Sequence, residues 1–242
     1  MLQVFRTGFA LGIVLLFGLA RLILPLRMIE QAGWALVLRA FQVRVKVQGT
    51  PARGGVLMLA NHVSWIDIAA LGRIVPACFV AKAEVGGWPV IGAAARRIGC
   101  LFVKRGSRKG AQGVAADIAA RIGQRKDVII FPEGTTGPGD GVLRFQSALT
   151  GIAGTGQIAV QPVALVYPGR HDRDAAAWLG DATLLPHALK LARTGGITLE
   201  IWFEPPFLAA DRKQAARQSE AVIAARLLAR IGSQAETLKR AA

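Results

Sequence analysis

The chain predicts an α/β fold: a mixed, mostly parallel sheet flanked by helices, with an N-terminal membrane-anchoring helical segment. Three observations predict it. From residue 43 onward, short runs that are nearly all apolar alternate with helical patterns, as strands buried on both faces do. The length, 242 residues, suits one α/β domain with an appendage better than two full domains. The N-terminus is an apolar stretch over residues 8–26, broken only by Arg21.

The elements follow in order. Residues 8–26 are of borderline length for a spanning helix, which needs about 20 apolar residues. A signal peptide fits less well, because Arg6 alone supplies a basic start and no small-x-small cleavage site follows. Residues 28–41 mix Trp34, Leu36, Val37 and Leu38 with Glu30, Gln31 and Arg39, an amphipathic helical pattern. Arg27, Arg39, Arg44 and Lys46 can face lipid headgroups, each contributing about 1 kcal/mol at an anionic surface. Residues 1–42 therefore read as membrane-anchoring helices, either a hairpin or an interfacial pair, with a buried core helix as the competing reading. The main domain spans residues 43–242. Its strands are expected at 43–48, 56–60, 78–81, 100–104, 128–131, 158–166 and 197–203. Helices are expected at 66–74, 90–98, 111–122, 147–154 and 185–192, with a last basic amphipathic helix at 211–228. Gly137-Pro138-Gly139-Asp140-Gly141 is a loop by its turn chemistry.

Composition narrows the partners. Thirty Lys and Arg against 15 Asp and Glu leave a net charge of +15, which points to nucleic acid or an anionic membrane. The hydrophobic fraction of 52% favours the membrane, and aromatics at 7% with no helix-turn-helix or base-stacking signature argue against nucleic acid. Cys78 and Cys100 sit in apolar runs without CxxC spacing and read as small core residues in a reducing compartment. Without an HExxH or a Cys/His cluster, no metal is expected.

Asn61-His62-Val63-Ser64-Trp65-Ile66-Asp67 carries the most chemistry. An imidazole and a carboxylate lie five residues apart where an apolar run ends and a helix begins. A neutral imidazole there can take a proton from a hydroxyl, and a carboxylate one turn on can hold its tautomer. The same residues also fit a helix start, with Ser64 as N-cap and Asp67 as an acidic third residue. The two readings are compatible. Phe131-Pro132-Glu133-Gly134-Thr135-Thr136 also follows an apolar run, so its turn aims a carboxylate and backbone N–H groups into the crevice beyond the strand ends; an ordinary loop is the plainer reading. Lys82 follows a third strand and can reach the same crevice, against the alternative of a solvated pair with Glu84. Lys104, Arg105, Arg108 and Lys109 form a basic cluster before a helix, suited to phosphate or simply to solvent. There is no Gly-x-Ser-x-Gly elbow, no phosphate loop and no dinucleotide fingerprint. A His–Asp pair without a neighbouring Ser or Cys nucleophile points to a hydroxyl supplied by the substrate.

His62-x4-Asp67 within Asn-His-x-Ser-Trp-x-Asp, followed about 70 residues later by Phe131-Pro-Glu-Gly-Thr135, resembles the glycerolipid acyltransferase family. Lys82-x-Glu84, Phe102-Val-x-Arg105 and Val160-Gln-Pro-Val163-Ala-Leu fall where that family has its other blocks, so the resemblance covers residues 43–207. It implies transfer of an acyl group from a thioester to a lysolipid hydroxyl. The donor, on coenzyme A or acyl carrier protein, is a substrate; no cofactor is implied. In that reading His62 is the general base and Asp67 orients it. Glu133, with Gly134, Thr135 and Thr136, helps hold the acceptor, while Lys82 and Arg105 bind its anionic head or stabilise developing charge. The resemblance further implies the cytoplasmic face of a bacterial inner membrane and membrane lipids as partners. The acceptor it implies first is 1-acylglycerol-3-phosphate, giving phosphatidic acid. Thr136 and Gln146, where phosphatidate-forming members carry basic residues, together with Gly180-Asp181 and Pro186-His187, are similar to the lyso-ornithine-lipid branch. A non-catalytic lipid-binding protein and a thioesterase are the rivals from other classes.

Overall fold

The computed structural model describes residues 27–88, 91–103, 108–155 and 157–241, together with Gly8, Gly12 and Leu16. The apolar stretch expected to reach into the membrane therefore lies almost wholly outside the described residues, as does Arg105. Among the described residues, no helix is long and apolar enough to cross a membrane.

The order is α1 (Arg27–Ala40), β1 (Val43–Gln48), β2 (Leu57–Ala60), α2 (Trp65–Ile74), β3 (Cys78–Lys82), α3 (Ala83–Gly86), α4 (Ile91–Arg97), β4 (Leu101–Val103), α5 (Arg108–Gly123) and β5 (Val128–Ile130). After a 3₁₀ segment, Ser147–Thr155, come β6 (Ala159–Val166), α6 (Arg170–Ala176), α7 (Leu184–Arg193), β7 (Ile197–Phe203), β8 (Phe207–Leu208) and α8 (Arg212–Ala241). The strands form one sheet in the order β1-β7-β6-β2-β5-β3-β4, with β8 beside β6. From β6 to β4 every pair is parallel. β7 joins β6 antiparallel and β1 joins β7 in parallel, so the sheet is mixed and mostly parallel, as expected.

The near-continuous apolar runs have a physical cause. Alternate residues of β2, β5 and β6 feed two separate cores. Met58, Ile129, Val163 and Leu165 pack under α1, α2, α6 and α7. Leu57, Leu59, Val128, Ile130 and Val160 pack on the other face against α5 and α8. Covered on both sides, these strands carry one polar side chain, Gln161, which is bonded to the backbone of Thr50, Ala52 and Glu204, and their carboxyl ends share one edge of the sheet.

Two expectations change. The helix read as an interfacial anchor over residues 28–41 buries Val37 and Leu38, and Phe41 just beyond it, in the first core, although Leu36 stays exposed. Its Trp34 ring lies so close to α2 that a Cβ at Gly72 would stand 2.7 Å from the indole nitrogen. Packing thus crosses the boundary expected at residue 42. The helix expected over 147–154 is two 3₁₀ turns kinked at Thr150. The Thr150 hydroxyl donates to the Ser147 and Arg212 carbonyls, and Gly151 and Gly154 weaken regular helix further.

The last helix is longer than expected, and two of its cations are turned inward. Arg226 forks onto Glu204 at 2.6 and 3.1 Å, and Arg230 onto Glu200 at 2.9 Å through both nitrogens. The Arg226 guanidinium also lies 4.2 Å from the Trp202 ring centre. These pairs clamp α8 over β7, and Arg230 holds the Glu200 carboxyl below the usual range.

Candidate active site

The parallel topology brings the chemistry to one edge. β2 ends at Ala60 and delivers Asn61 and His62, while β5, its neighbour, ends at Ile130 and delivers Phe131 and Glu133. β3 delivers Lys82, and β6 delivers Tyr167. Ligand sites in open α/β sheets lie outside such strand ends.

Asn61 sets the position of its neighbour. Its side chain donates to the Leu165 carbonyl at 2.9 Å and accepts from the Leu165 N–H at 2.8 Å, extending the β2–β6 ladder by one rung beyond the strand. The chain then turns into α2. Ser64 caps that helix, its hydroxyl accepting from the Ile66 N–H at 3.4 Å.

Asp67 is fully buried and accepts four hydrogen bonds. Oδ2 lies 2.8 Å from His62 Nδ1 and accepts from the Val63 and Ser64 N–H groups, each at 2.8 Å. Oδ1 accepts from the Tyr167 hydroxyl at 2.6 Å. Capping and the His–Asp pair thus use one carboxylate, so both sequence readings coexist. With a carboxylate as the partner of Nδ1, the tautomer that carries its proton there leaves Nε2 with the lone pair. The imidazole stacks on Phe131, with centroids 4.0 Å apart and planes at 15°, and keeps 15% of its side chain exposed. A partly exposed imidazole backed by a buried carboxylate is an arrangement that can take a proton from a hydroxyl.

Glu133 sits differently. Only 4% exposed, it accepts one backbone N–H, from Leu143, at 3.3 Å through Oε1. Oε2 is buried with no hydrogen-bond partner. Desolvation pushes the carboxyl up to about 8, against the lowering effect of the Leu143 N–H and of the His62 N–H, which lies near but outside hydrogen-bonding geometry, with Asp67 and Glu220 adding repulsion. Gly134 adopts φ +72°, which lets its N–H reach back to the Phe131 carbonyl, and a Cβ there would stand 2.7 Å from Gln146 Nε2.

The other expected site residues are spread around this pair. Thr135 is exposed. The Thr136 hydroxyl donates to the Trp178 carbonyl and so ties the loop to the segment after α6. Lys82 is exposed at the end of β3 and starts α3.

Sequence reasoning missed three supports. Tyr167 is the chain's one tyrosine, and only its place at the end of a long apolar strand marked it. Trp65 donates from Nε1 to His187 Nδ1 at 3.0 Å, and His187 Nε2 faces the Ala177 carbonyl at 3.2 Å. Burial lowers the His187 pKa, so this ring is a neutral strut. The Trp178 N–H donates to the Val63 carbonyl and the Gly137 N–H to the His62 carbonyl, fastening two distant loops to the His62 segment. A groove of about 480 Å³ opens between α6 and α7; its walls include Pro138, Ala177 and His187 but not His62, so it adjoins the loop rather than the imidazole.

The family model described as Acyltransferase matches residues 42–166. The lyso-ornithine lipid O-acyltransferase of Pseudomonas aeruginosa is 36% identical over 222 residues, 90% of this chain and 84% of that protein. The protein of the same name from Brucella abortus is 37% identical over 203 residues, 76% of each. The 1-acyl-sn-glycerol-3-phosphate acyltransferase of Neisseria meningitidis is 37% identical over 134 residues, 54% of this chain and 52% of that protein. The crystal structure of the 1-acyl-sn-glycerophosphate acyltransferase of Thermotoga maritima superposes with a TM-score of 0.63 at 19% identity, covering 93% of both chains, which shows a shared fold.

Proposed function

The chain belongs to the acyltransferase family, and we propose that it transfers an acyl group from a thioester to the hydroxyl of a lysolipid, with His62 as the general base. The carrying observation is the 2.8 Å bond from His62 Nδ1 to Asp67, which leaves Nε2 as the free base. Nε2 takes the proton of the acceptor hydroxyl as its oxygen attacks the thioester carbonyl carbon. The tetrahedral adduct collapses, the C–S bond breaks, and the imidazolium returns the proton to the thiolate. The acyl donor, on coenzyme A or acyl carrier protein, is a substrate, and both are anions suited to a +15 chain. Glu133, holding its proton below about pH 8, offers an O–H donor to the acceptor or to the developing oxyanion.

The acceptor that fits best is lyso-ornithine lipid. Relatives of that name align along as much as 90% of the chain, and Thr136 stands where a phosphate-binding cation is absent, its hydroxyl already engaged by Trp178. Lysophosphatidate, the acceptor that the motifs imply first, remains the second reading, favoured by the exposed Lys82 at the same sheet edge. Arg105 would supply a second cation for that head. The apolar residues 8–26 would hold the chain at the cytoplasmic face of a bacterial inner membrane, where both acceptors reside.

The test is product formation from labelled acyl thioester, with lyso-ornithine lipid and lysophosphatidate in parallel. Ester from the first alone supports the favoured reading, and ester from the second alone reverses it. Acyl release without acceptor identifies a thioesterase, and lipid binding without turnover identifies a lipid-binding protein. His62→Ala should lower turnover by about 10²–10⁴-fold with an unchanged circular dichroism spectrum; near-normal turnover removes His62 from the mechanism.

A further inference from the structure

We infer that Tyr167 is a positioning residue for the His62–Asp67 pair: its hydroxyl fixes the rotation of the Asp67 carboxylate so that Oδ2 faces the imidazole. This rests on the reading of His62 as the base. The three donors on Oδ2 all come from residues 62–64, and alone they restrain only one oxygen. The carboxylate plane is set by the fourth bond, from Tyr167 to Oδ1 at 2.6 Å, between two fully buried side chains 100 residues apart in sequence. Tyr167 is placed for this by the sheet. It follows β6, which pairs with β2 up to Ala60 opposite Val163, and the Asn61 side chain closes the next rung on Leu165. The distance from Tyr167 to Asp67 is therefore set by the same ladder that places His62.

Burial and the neighbouring Asp67 charge raise the Tyr167 pKa well above its usual value, in keeping with a hydroxyl that donates to Asp67. Tyr167 is also the residue directly after the stretch that the family model matches. Its contribution rests on this contact rather than on the shared motifs.

Tyr167→Phe tests the inference, since the ring still fills its place and only the hydroxyl is lost. The freed Oδ1 leaves a more basic carboxylate, which holds the imidazolium more strongly. With the acceptor that gives ester, kcat should fall about ten- to a hundredfold, the range that one bond to a charged group supplies, while KM stays within about twofold. The acid limb of the kcat/KM profile should move to higher pH. In protein labelled with ¹⁵N-histidine, the Nδ1–H signal assigned to His62 by its loss in His62→Ala should shift in Tyr167→Phe. A purely structural role would lower the folded fraction and scale the profile without moving its limb. An unshifted Nδ1–H signal, or an unmoved acid limb in a folded variant, overturns the inference. If the parent chain makes no ester at all, the functional reading fails, and the resonance still decides whether Tyr167 governs the pair.

Discussion

Two buried carboxyls follow neighbouring strands, one in the first turn of α2 and one in the turn after β5, and their surroundings are opposite. Asp67 accepts four hydrogen bonds, three on one oxygen and one on the other. Glu133 accepts a single bond at 3.3 Å and keeps Oε2 without a partner. Burial is almost the same, at 0% and 4% exposure, so burial does not separate them. Donor supply does. The start of α2 lends Asp67 the unpaired N–H groups that every helix N-terminus has, whereas Glu133 lies in a turn that lends few. Desolvation dominates at Glu133 and holds its proton up to about pH 8. One carboxyl is thus saturated with donors beside an imidazole, and the other, holding its proton up to about pH 8, can donate.

The comparison breaks most sharply at Asp67→Asn. The amide oxygen can still face the three donors on the Oδ2 side and its NH2 the Tyr167 oxygen, but the negative charge that would stabilise an imidazolium at His62 is gone. Turnover should fall by about 10²–10⁴-fold while circular dichroism still shows the parent's folded content. Turnover within a few-fold of the parent would mean that Asp67 only caps its helix.

Glu133→Gln sharpens the other side. In the folded chain Glu133 loses its proton near pH 8, and in the unfolded chain near 4.5. Between those values folding takes up a proton, so this group's contribution to stability falls as pH rises from about 4.5 to about 8 and is level above. Gln does not titrate, so the variant's stability relative to the parent should grow across that window, by up to a few kcal/mol on the order-of-magnitude scale of such shifts. Denaturant melts at pH 5, 6.5 and 8 measure it, and a constant difference would show that Glu133 is ionised throughout. The amide keeps a donor, so turnover at pH 7 should stay within about an order of magnitude.

The smallest effect belongs to Ser64→Ala. It removes the cap from Ile66 but leaves all four bonds to Asp67 in place. Stability should drop by about 1 kcal/mol, the usual cost of a lost cap, with kcat unchanged. A fall in kcat as large as that of Asp67→Asn would mean that the hydroxyl, and not the carboxylate, governs the imidazole.

Much of this was legible from local pattern. β1 and β7 have the expected ends, and the other long strands differ by a residue or so, because runs buried on both faces admit few polar residues. His62 and Asp67 were legible because five residues across a strand–helix junction fix their separation locally. The short α6 was not seen, since Arg170-His-Asp-Arg-Asp carries no apolar period and is held by Asp172 bonding the Gly169 N–H at 2.9 Å. The core role of α1 was only the competing reading, because an amphipathic stripe looks the same whether it meets lipid or another helix.

The residue order alone determined the mixed sheet, the imidazole–carboxylate pair and the second carboxyl after a neighbouring strand, since each depends on periodicity or short spacing. Tertiary structure decided which donors each carboxyl receives. Tyr167 meets Asp67 because β6 lies beside β2, and Thr136 is taken up by Trp178 because a distant segment folds over the loop. The physical reason is range: strand pairing brings together groups far apart in sequence, and inside a dry protein one added or missing donor changes what a carboxyl can do.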